Sequence, residues 1–406
     1  MRAHLLAMME PSSKKLIIYL SPYDILRPRT NQVSDVRFCE GFAQNNCEIH
    51  LITPFVFRAD NISKEQVQKV YGLENIFPVH YLSTKFTKDI EGLHRMFLVS
   101  ILGFISALKI LRNAKNKDTK KYIISRSVVL LQLFLSTKKY LPFLLKNVYI
   151  VHWAHDFKNR KSYLTTYRRC DYILATNSTL LNDLINETGI AKNKTAITLN
   201  PITEAQAKQF PDKSKARSIV GIAENIPLIV YTGKLGIDYN KELIYILEAA
   251  GQLPSYTFLF TGGKPEVIKH WQSWCHLREI NNCVFTGYIS DYSTIIHYQQ
   301  SADVLVSYYT NQGHHTSYNL PNKICEYMLT GNVIVTPNFG ATRDLLNDSN
   351  CIFAEPEESK LLVDALRYAM EHPEIAKSKA TQAINDVKEI TFKKRIALVL
   401  NLFSTN

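Results

Sequence analysis

Apolar and polar positions along the chain alternate between two periods. Short β-rich apolar runs bounded by polar turns are followed by stretches in which apolar residues recur every three to four positions. The first run, KKLIIYLSPYD, ends near Asp24. After the basic segment LRPRTNQ the pattern predicts a helix from Val33 to Gln44, and then EIHLITPF over 48–55 as a strand. A charged helix from about Ser63 to Tyr71 leads to the strand FPVHYLS, and a long helix is predicted over roughly 88–113. KYIISRS, a helix to about Thr137, NVYIVHWAHD, RRCDYILATN, the helix LLNDLINETGI and the strand KTAITLNPI complete this series. Strands separated by helices of ten or more residues imply parallel sheet with crossover helices.

The series is interrupted once, by the polar, lysine-rich stretch 204–224, where a domain boundary is expected. It restarts with IPLIVYTGKLG and the helix NKELIYILEAAGQL, followed by strands in YTFLFTGG, CVFTGYI, ADVLVSYY, NVIVTPN and CIFAEP. The tail TFKKRIALVLNLF reads as a final helix. The expected fold class is α/β, with two Rossmann-like domains of parallel sheet, residues 1–205 and 206–387. Ligands of doubly wound sheets bind at the C-terminal ends of the strands, and a tandem pair places them in the cleft between domains.

Bulk properties narrow this picture. A chain of 406 residues suits about two domains, and 15 glycines with 15 prolines leave little room for long linkers. The seven cysteines are odd in number and lack any Cys-x-x-Cys, which reads as reduced thiols without a zinc site. The apolar patch near the N-terminus ends at Glu10, short of a signal-peptide core. The longest apolar stretch, 96–108, falls short of the ~20 residues that span a bilayer, so a cytoplasmic protein is expected. Its basic neighbours His94, Arg95, Lys109, Arg112, Lys115 and Lys117 would suit peripheral contact with an anionic membrane, at the inner face of the plasma membrane. Phe97, Ile101, Phe104, Ile105 and Leu108 at helical spacing read equally well as a core face. The formal net charge of +12 favours polyanionic partners, but dispersed basic residues without a recognised module argue against nucleic acid.

YTGKLG, the Asn240-Lys241-Glu242 helix start, LFTGG, VFTGYIS, SADVLVSYY and LPNKICEYMLTGNVIVTPNFGATRDLL follow one another in order. This ordered set resembles glycosyltransferase family 4, retaining enzymes of the two-domain GT-B fold, most strongly from about Ile226 to Pro356. HWAHDF, ILATNSTLLNDL and LNPIT extend the resemblance collinearly into the first half. It implies an N-terminal acceptor domain, a C-terminal donor domain, and a last helix, about 388–406, that packs back on the first.

Gly233 ends its strand in a turn that lets backbone approach a ligand, with Lys234 at its edge and Lys241 opening the next helix. Two ammonium groups and a helix N-terminus suit a diphosphate. The resemblance gives Lys234 and Lys241 the role of binding the donor pyrophosphate and stabilising it as it leaves. It assigns Glu326 to the ribose hydroxyls, and places Gly233, Gly262, Tyr288, Asn322 and Lys323 around the donor. Where the family often has a sugar-binding glutamate this chain has Tyr318, so the loop with Gly313, His314 and Tyr318 would line the sugar pocket. His152 and His155, three apart on a strand, point to opposite faces, which disfavours a shared metal. The His-Asp-Phe context makes His155 the counterpart of the family's cleft histidine, which polarises or positions groups at the reacting centre. In the first βα loop, Arg27, Arg29 and Asn31 stand where the family more often has glycine. They would grip an anionic acceptor, or the donor phosphates, or else form a surface turn.

The implied activity is transfer of a hexose from a nucleotide diphosphate sugar to a hydroxyl of a glycan or lipid-linked acceptor, in cell-envelope polysaccharide or glycolipid synthesis. No cofactor is expected, and no metal, since lysines fill the cation's role and no Asp-x-Asp occurs. Two alternatives share the architecture: a non-catalytic nucleotide-sugar-binding subunit, and a nucleotide-sugar epimerase.

Overall fold

The computed structural model describes residues 14–27, 29–55, 63, 66–83, 93–114, 119–158, 160–237, 241–309, 318, 320–356 and 359–405. The chain divides into two compact units, Met1–Leu199 with Phe392–Asn406, and Asn200–Thr391.

The first unit runs β1 (Leu16–Leu20), α1 (Thr30–Gln44), β2 (Glu48–Phe55), α2 (Val67–Tyr71), β3 (Val79–Ser83), α3 (Leu93–Asn113), β4 (Lys121–Ser125), α4 (Val128–Tyr140), β5 (Val148–Ala154), α5 (Lys161–Arg169), β6 (Tyr172–Ala175), α6 (Ser178–Thr188) and β7 (Thr195–Ile197). Its seven strands pair in the order β3-β2-β1-β4-β5-β6-β7, every pair parallel. The runs LIIYL and KYIIS are buried at every position, because helices cover both faces of a doubly wound sheet. Strand order reverses between β1 and β4, so the loops leaving these two strands diverge and open a crevice between them.

The second unit runs α7 (Glu204–Ala207), α8 (Lys213–Val220), β8 (Leu228–Thr232), α9 (Lys241–Gln252), β9 (Thr257–Thr261), α10 (Pro265–His276), β10 (Cys283–Gly287), α11 (Tyr292–Gln300), β11 (Val304–Val306), α12 (Lys323–Met328), β12 (Val333–Pro337), β13 (Ile352–Ala354), α13 (Ser359–Glu371) and α14 (Pro373–Lys388). Six parallel strands pair as β10-β9-β8-β11-β12-β13, reversing between β8 and β11. The final helix, α15 (Phe392–Ser404), returns to the first unit. There Phe403 stacks on Tyr122 with ring centres 4.1 Å apart, and Ile396 fills the space beside Gly41.

Two stretches differ from the pattern reading. The lysine-rich segment 204–224 holds the helices α7 and α8, which belong to the second unit. Arg217 of α8 turns inward, donating from Nε to the Ser301 carbonyl at 2.9 Å and pairing with Asp303 at 2.9 Å, while most neighbouring lysines face water. The second is α3. Its buried positions are Val99, Ser100, Gly103 and Ala107, while Phe97 and Ile105 are exposed and Ile101, Phe104 and Leu108 are half-buried. At Gly103 the backbone lies close to the sheet: a Cβ there would stand 3.1 Å from Leu20.

Candidate functional site

The second unit builds its site where β8 ends at the strand-order reversal. Gly233 (φ 150°) and Gly262 (φ 124°) terminate β8 and β9, and their backbones touch. The Gly233 N–H donates to Thr261 at 2.9 Å, and a Cβ on Gly262 would stand 2.1 Å from the Gly233 carbonyl oxygen. No L-side chain fits there, so the strand ends present bare backbone.

Helix α12 clamps this terminus. The hydroxyl of buried Tyr327 accepts the Thr232 N–H at 2.9 Å and lies 3.1 Å from Thr232 Oγ1. Burial pushes the Tyr327 phenol up, so it stays protonated. One turn earlier, Lys323 donates from Nζ to the Thr232 carbonyl at 3.3 Å, and its Nζ sits 3.8 Å from the centre of the Tyr231 ring. This ammonium also lies 3.5 Å from where a Gly233 Cβ would be, which puts a cation beside the bare turn. Lys234 follows, exposed, and Asn322 is exposed at the N-cap of α12. Lys241 begins α9, but its side chain lies outside the described residues, as do Gly313 and His314.

Glu326 lies on the same helix, lining a cavity of about 930 Å³ with Tyr292, His297 and Gln300 of α11 and Gln206 and Phe210 from the segment before α8. Its carboxylate accepts from the Tyr292 hydroxyl at 2.9 Å and from Gln299 Nε2 at 3.2 Å. Gln299 donates from the same nitrogen to Thr232 Oγ1 at 3.1 Å, tying the carboxylate to the end of β8. Each carboxylate oxygen keeps a further lone pair for a ligand hydroxyl. Tyr288, just past β10, is 77% exposed, whereas Tyr318 is buried.

The first unit has its own polar cluster at its reversal point. Asp35, on the inner face of α1, is fully buried. It accepts from the Tyr19 hydroxyl at 2.8 Å and the Ser21 hydroxyl at 2.6 Å, and Arg126 Nε lies 3.1 Å from its Oδ1. Arg126 stands one residue past β4, stacked over the Trp153 ring with its Cζ 5.0 Å from the ring centre. Burial opposes the guanidinium's charge, but Asp35 together with the Tyr19 and Tyr23 phenols outweighs it and holds the Arg126 pKa above its usual value. Burial also pushes the Asp35 carboxyl up, against the pull of Arg126 and the two hydroxyls.

His155, one residue past β5, meets this cation: Arg126 Nη2 is 2.5 Å from Nε2 and 3.1 Å from Nδ1 of the ring. Burial, and then the guanidinium, hold this imidazole well below its usual pKa, so it is neutral at physiological pH. His152 points the other way, its Nδ1 3.2 Å from the Ser125 carbonyl, and burial drives its pKa down to about 4. Of the basic loop, Arg27 is half-buried, Arg29 is the exposed N-cap of α1 without a side-chain capping bond, and Asn31 is exposed.

Arg126, Asp35, Tyr327 and Gln299 escaped the sequence reading. Arg126 carried a usable signal, a lone cation directly after the apolar run KYIIS. Asp35, Tyr327 and Gln299 did not, because their partners come from other elements.

Residues 226–372 match the family model described as "Glycosyl transferases group 1". No curated protein sequence matches the chain. Among solved structures, HepE (Alr3699) of Anabaena in complex with UDP superposes with a TM-score of 0.70 at 14% identity, covering 96% of this chain and 100% of that one. A glycosyltransferase from Rickettsia africae gives 0.69 at 12% identity, covering 97% and 99%. Sucrose-phosphate synthase from Thermosynechococcus elongatus gives 0.69 at 14%, covering 96% and 100%. At these identities the likeness establishes the fold: two Rossmann-like α/β units in the GT-B architecture.

Proposed function

We propose that the protein is a glycosyltransferase that takes its sugar from a nucleotide diphosphate donor bound by the second unit. The observation that carries this reading is the end of β8. There bare backbone at Gly233 and Gly262 is flanked by the Lys323 ammonium, within the segment that matches the glycosyl transferase model. A strand-end glycine turn beside cations binds a diphosphate, and Glu326, held through Gln299 to the same strand end, offers its free lone pairs to ribose hydroxyls. The similar HepE structures hold UDP and UDP-glucose, which makes uridine the first base to test.

The reaction joins an acceptor oxygen to the anomeric carbon as the bond from that carbon to the diphosphate breaks. Lys234, Lys241 and Lys323 neutralise the charge that builds on the leaving diphosphate. With retention, the leaving phosphate oxygen takes the acceptor proton on the face from which it departs. Neutral His155 positions the reacting groups, and Arg27, Arg29 and Asn31 bind an anionic acceptor such as a lipid-linked diphosphate. Envelope glycan or glycolipid synthesis in the cytoplasm is the setting this chemistry fits, with ammonium groups in the place of a divalent metal.

Calorimetric titration with UDP-, GDP-, ADP- and dTDP-sugars tests the reading. One nucleotide should bind the wild type, and Lys234→Ala, Lys323→Ala and Glu326→Ala should each weaken it about 10–100-fold, as for lost bonds to charged groups. No binding of any nucleotide sugar would sink the proposal. Tight binding without turnover on any acceptor would favour a non-catalytic binding subunit, the reading that Tyr318 in place of a glutamate suggests.

A further inference from the structure

The chain's positive charge is not spread evenly. Residues 93–147 hold eleven lysines and arginines and one acidic residue, Asp118, against a formal +12 for all 406 residues. The segment spans α3, β4, α4 and the turn Pro142–Leu145, all in the first unit.

The same segment also exposes large apolar side chains: Phe97, Ile105, Tyr140, Leu141, Phe143 and Leu144. Met96–Asn113 of α3 is long and apolar enough to cross a membrane, yet only 22% of it is buried. As the crossover between β3 and β4 of one sheet, it cannot leave the unit to span a bilayer. The outer face of α3 carries apolar side chains where an ordinary surface helix is polar. Val99, Ser100, Gly103 and Ala107 are buried, Gly103 against Leu20 of the sheet, while the outer row at i, i+4 spacing reads Phe97, half-buried Ile101, Ile105 and then Lys109. Phe97 is 61% exposed and Ile105 45%.

Helix α4 packs beside α3 through Phe104 and Phe134, ring centres 4.9 Å apart. Both helices connect parallel strands, so they run in the same direction, and the end of α4 emerges near the basic end of α3. There the turn after α4 exposes Tyr140 and Phe143, each 71%, with Leu141 and Leu144 at 45%. Lys109, Arg112, Lys139 and Lys146 stand exposed around them.

We propose that this face of the first unit, α3 with the turn at the end of α4, docks on the surface of an anionic lipid bilayer. The apolar row and turn enter the headgroup–acyl boundary, and the basic rim meets the lipid phosphates. A single-sign basic rim around outward aromatics matches that surface, whereas two copies of the face would bring like charges together. The inference stands on the first unit alone and does not depend on the reading of the second.

Co-sedimentation of the full chain with vesicles tests it. Phosphatidylcholine vesicles containing phosphatidylglycerol should bind the protein, pure phosphatidylcholine should bind it weakly, and high salt should release most of it. Lys109→Glu, Arg112→Glu, Lys139→Glu and Lys146→Glu should each lower partitioning by roughly fivefold or more. The triple variant Phe97→Ser, Ile105→Ser, Phe143→Ser should lose binding, while Leu277→Ser, an exposed apolar residue of the second unit, should not. These positions are exposed, so thermal unfolding and nucleotide binding should match the wild type. Absent binding to anionic vesicles overturns the proposal, as does equal binding by wild type and triple variant. So does a dimer in sedimentation equilibrium that the triple variant dissolves while lipid binding is unchanged.

Discussion

Single residues carry the sharpest consequences. Gly262 has no room for a side chain, since its Cβ would overlap the Gly233 carbonyl. Gly262→Ala should cost about 2–4 kcal/mol from backbone strain and overpacking together, read as a lower denaturation midpoint, and should weaken nucleotide binding by displacing the β8 turn. Asp35 is buried beneath Arg126, and Asp35→Ala would leave a buried cation uncompensated. A loss of about 3–5 kcal/mol is expected, measurable by chemical denaturation. His152 sets a pH dependence. Its folded pKa of about 4 lies below the usual 6.5, so only the unfolded state takes up a proton between those values. The stability from keeping His152 neutral is complete above pH 6.5 and falls by about 3 kcal/mol by pH 4. Denaturation curves from pH 7.5 down to 4.5 should show the decline, and His152→Gln should make it shallower, the remainder coming from His155, which burial also holds neutral.

At the scale of elements, α12 and the end of β8 form one device. Tyr327 pins Thr232, Lys323 leans over Tyr231, and Glu326 is tied through Gln299 to the same threonine. Tyr327→Phe removes the acceptor of a buried N–H and should cost about 1–3 kcal/mol. If the clamp positions the diphosphate site, the same variant should weaken nucleotide binding severalfold with unchanged stoichiometry. Unchanged affinity would confine Tyr327 to a structural role. The helix was legible from its apolar spacing, and Lys323 and Glu326 from the motif around them. Their joint attachment to β8 was not, because it depends on a strand about ninety residues earlier in the chain.

At the scale of the whole molecule, the chain crosses between units twice, leaving the first after Leu199 and returning at Phe392. Helix α15 completes the first core, with Phe403 stacked on Tyr122 and Asn45 donating to the Lys393 carbonyl at 2.9 Å. Removing residues 392–406 should therefore unfold the first unit and spare the second. Hydrogen exchange should show protection lost in β1 and β4 and retained in β8 and β11. Uniform loss across both units would show that they fold as one cooperative block.

The sequence by itself determined the strands, most of the helices (α7 and α8 apart), their parallel arrangement, and Gly233 with Lys234 at the end of β8. Those features rest on periodicity, turn chemistry and local motif, which adjacent residues encode. Only the tertiary structure decided that Arg126 faces His155 over a buried Asp35, that Glu326 is shared with Tyr292 and Gln299, and that α3 turns Gly103 inward and Phe97 and Ile105 outward. Burial and pairing of this kind depend on which distant side chains share a volume. A helical period shows that a face exists but not which way it points, and for α3 the close approach of Gly103 to Leu20 settled the direction.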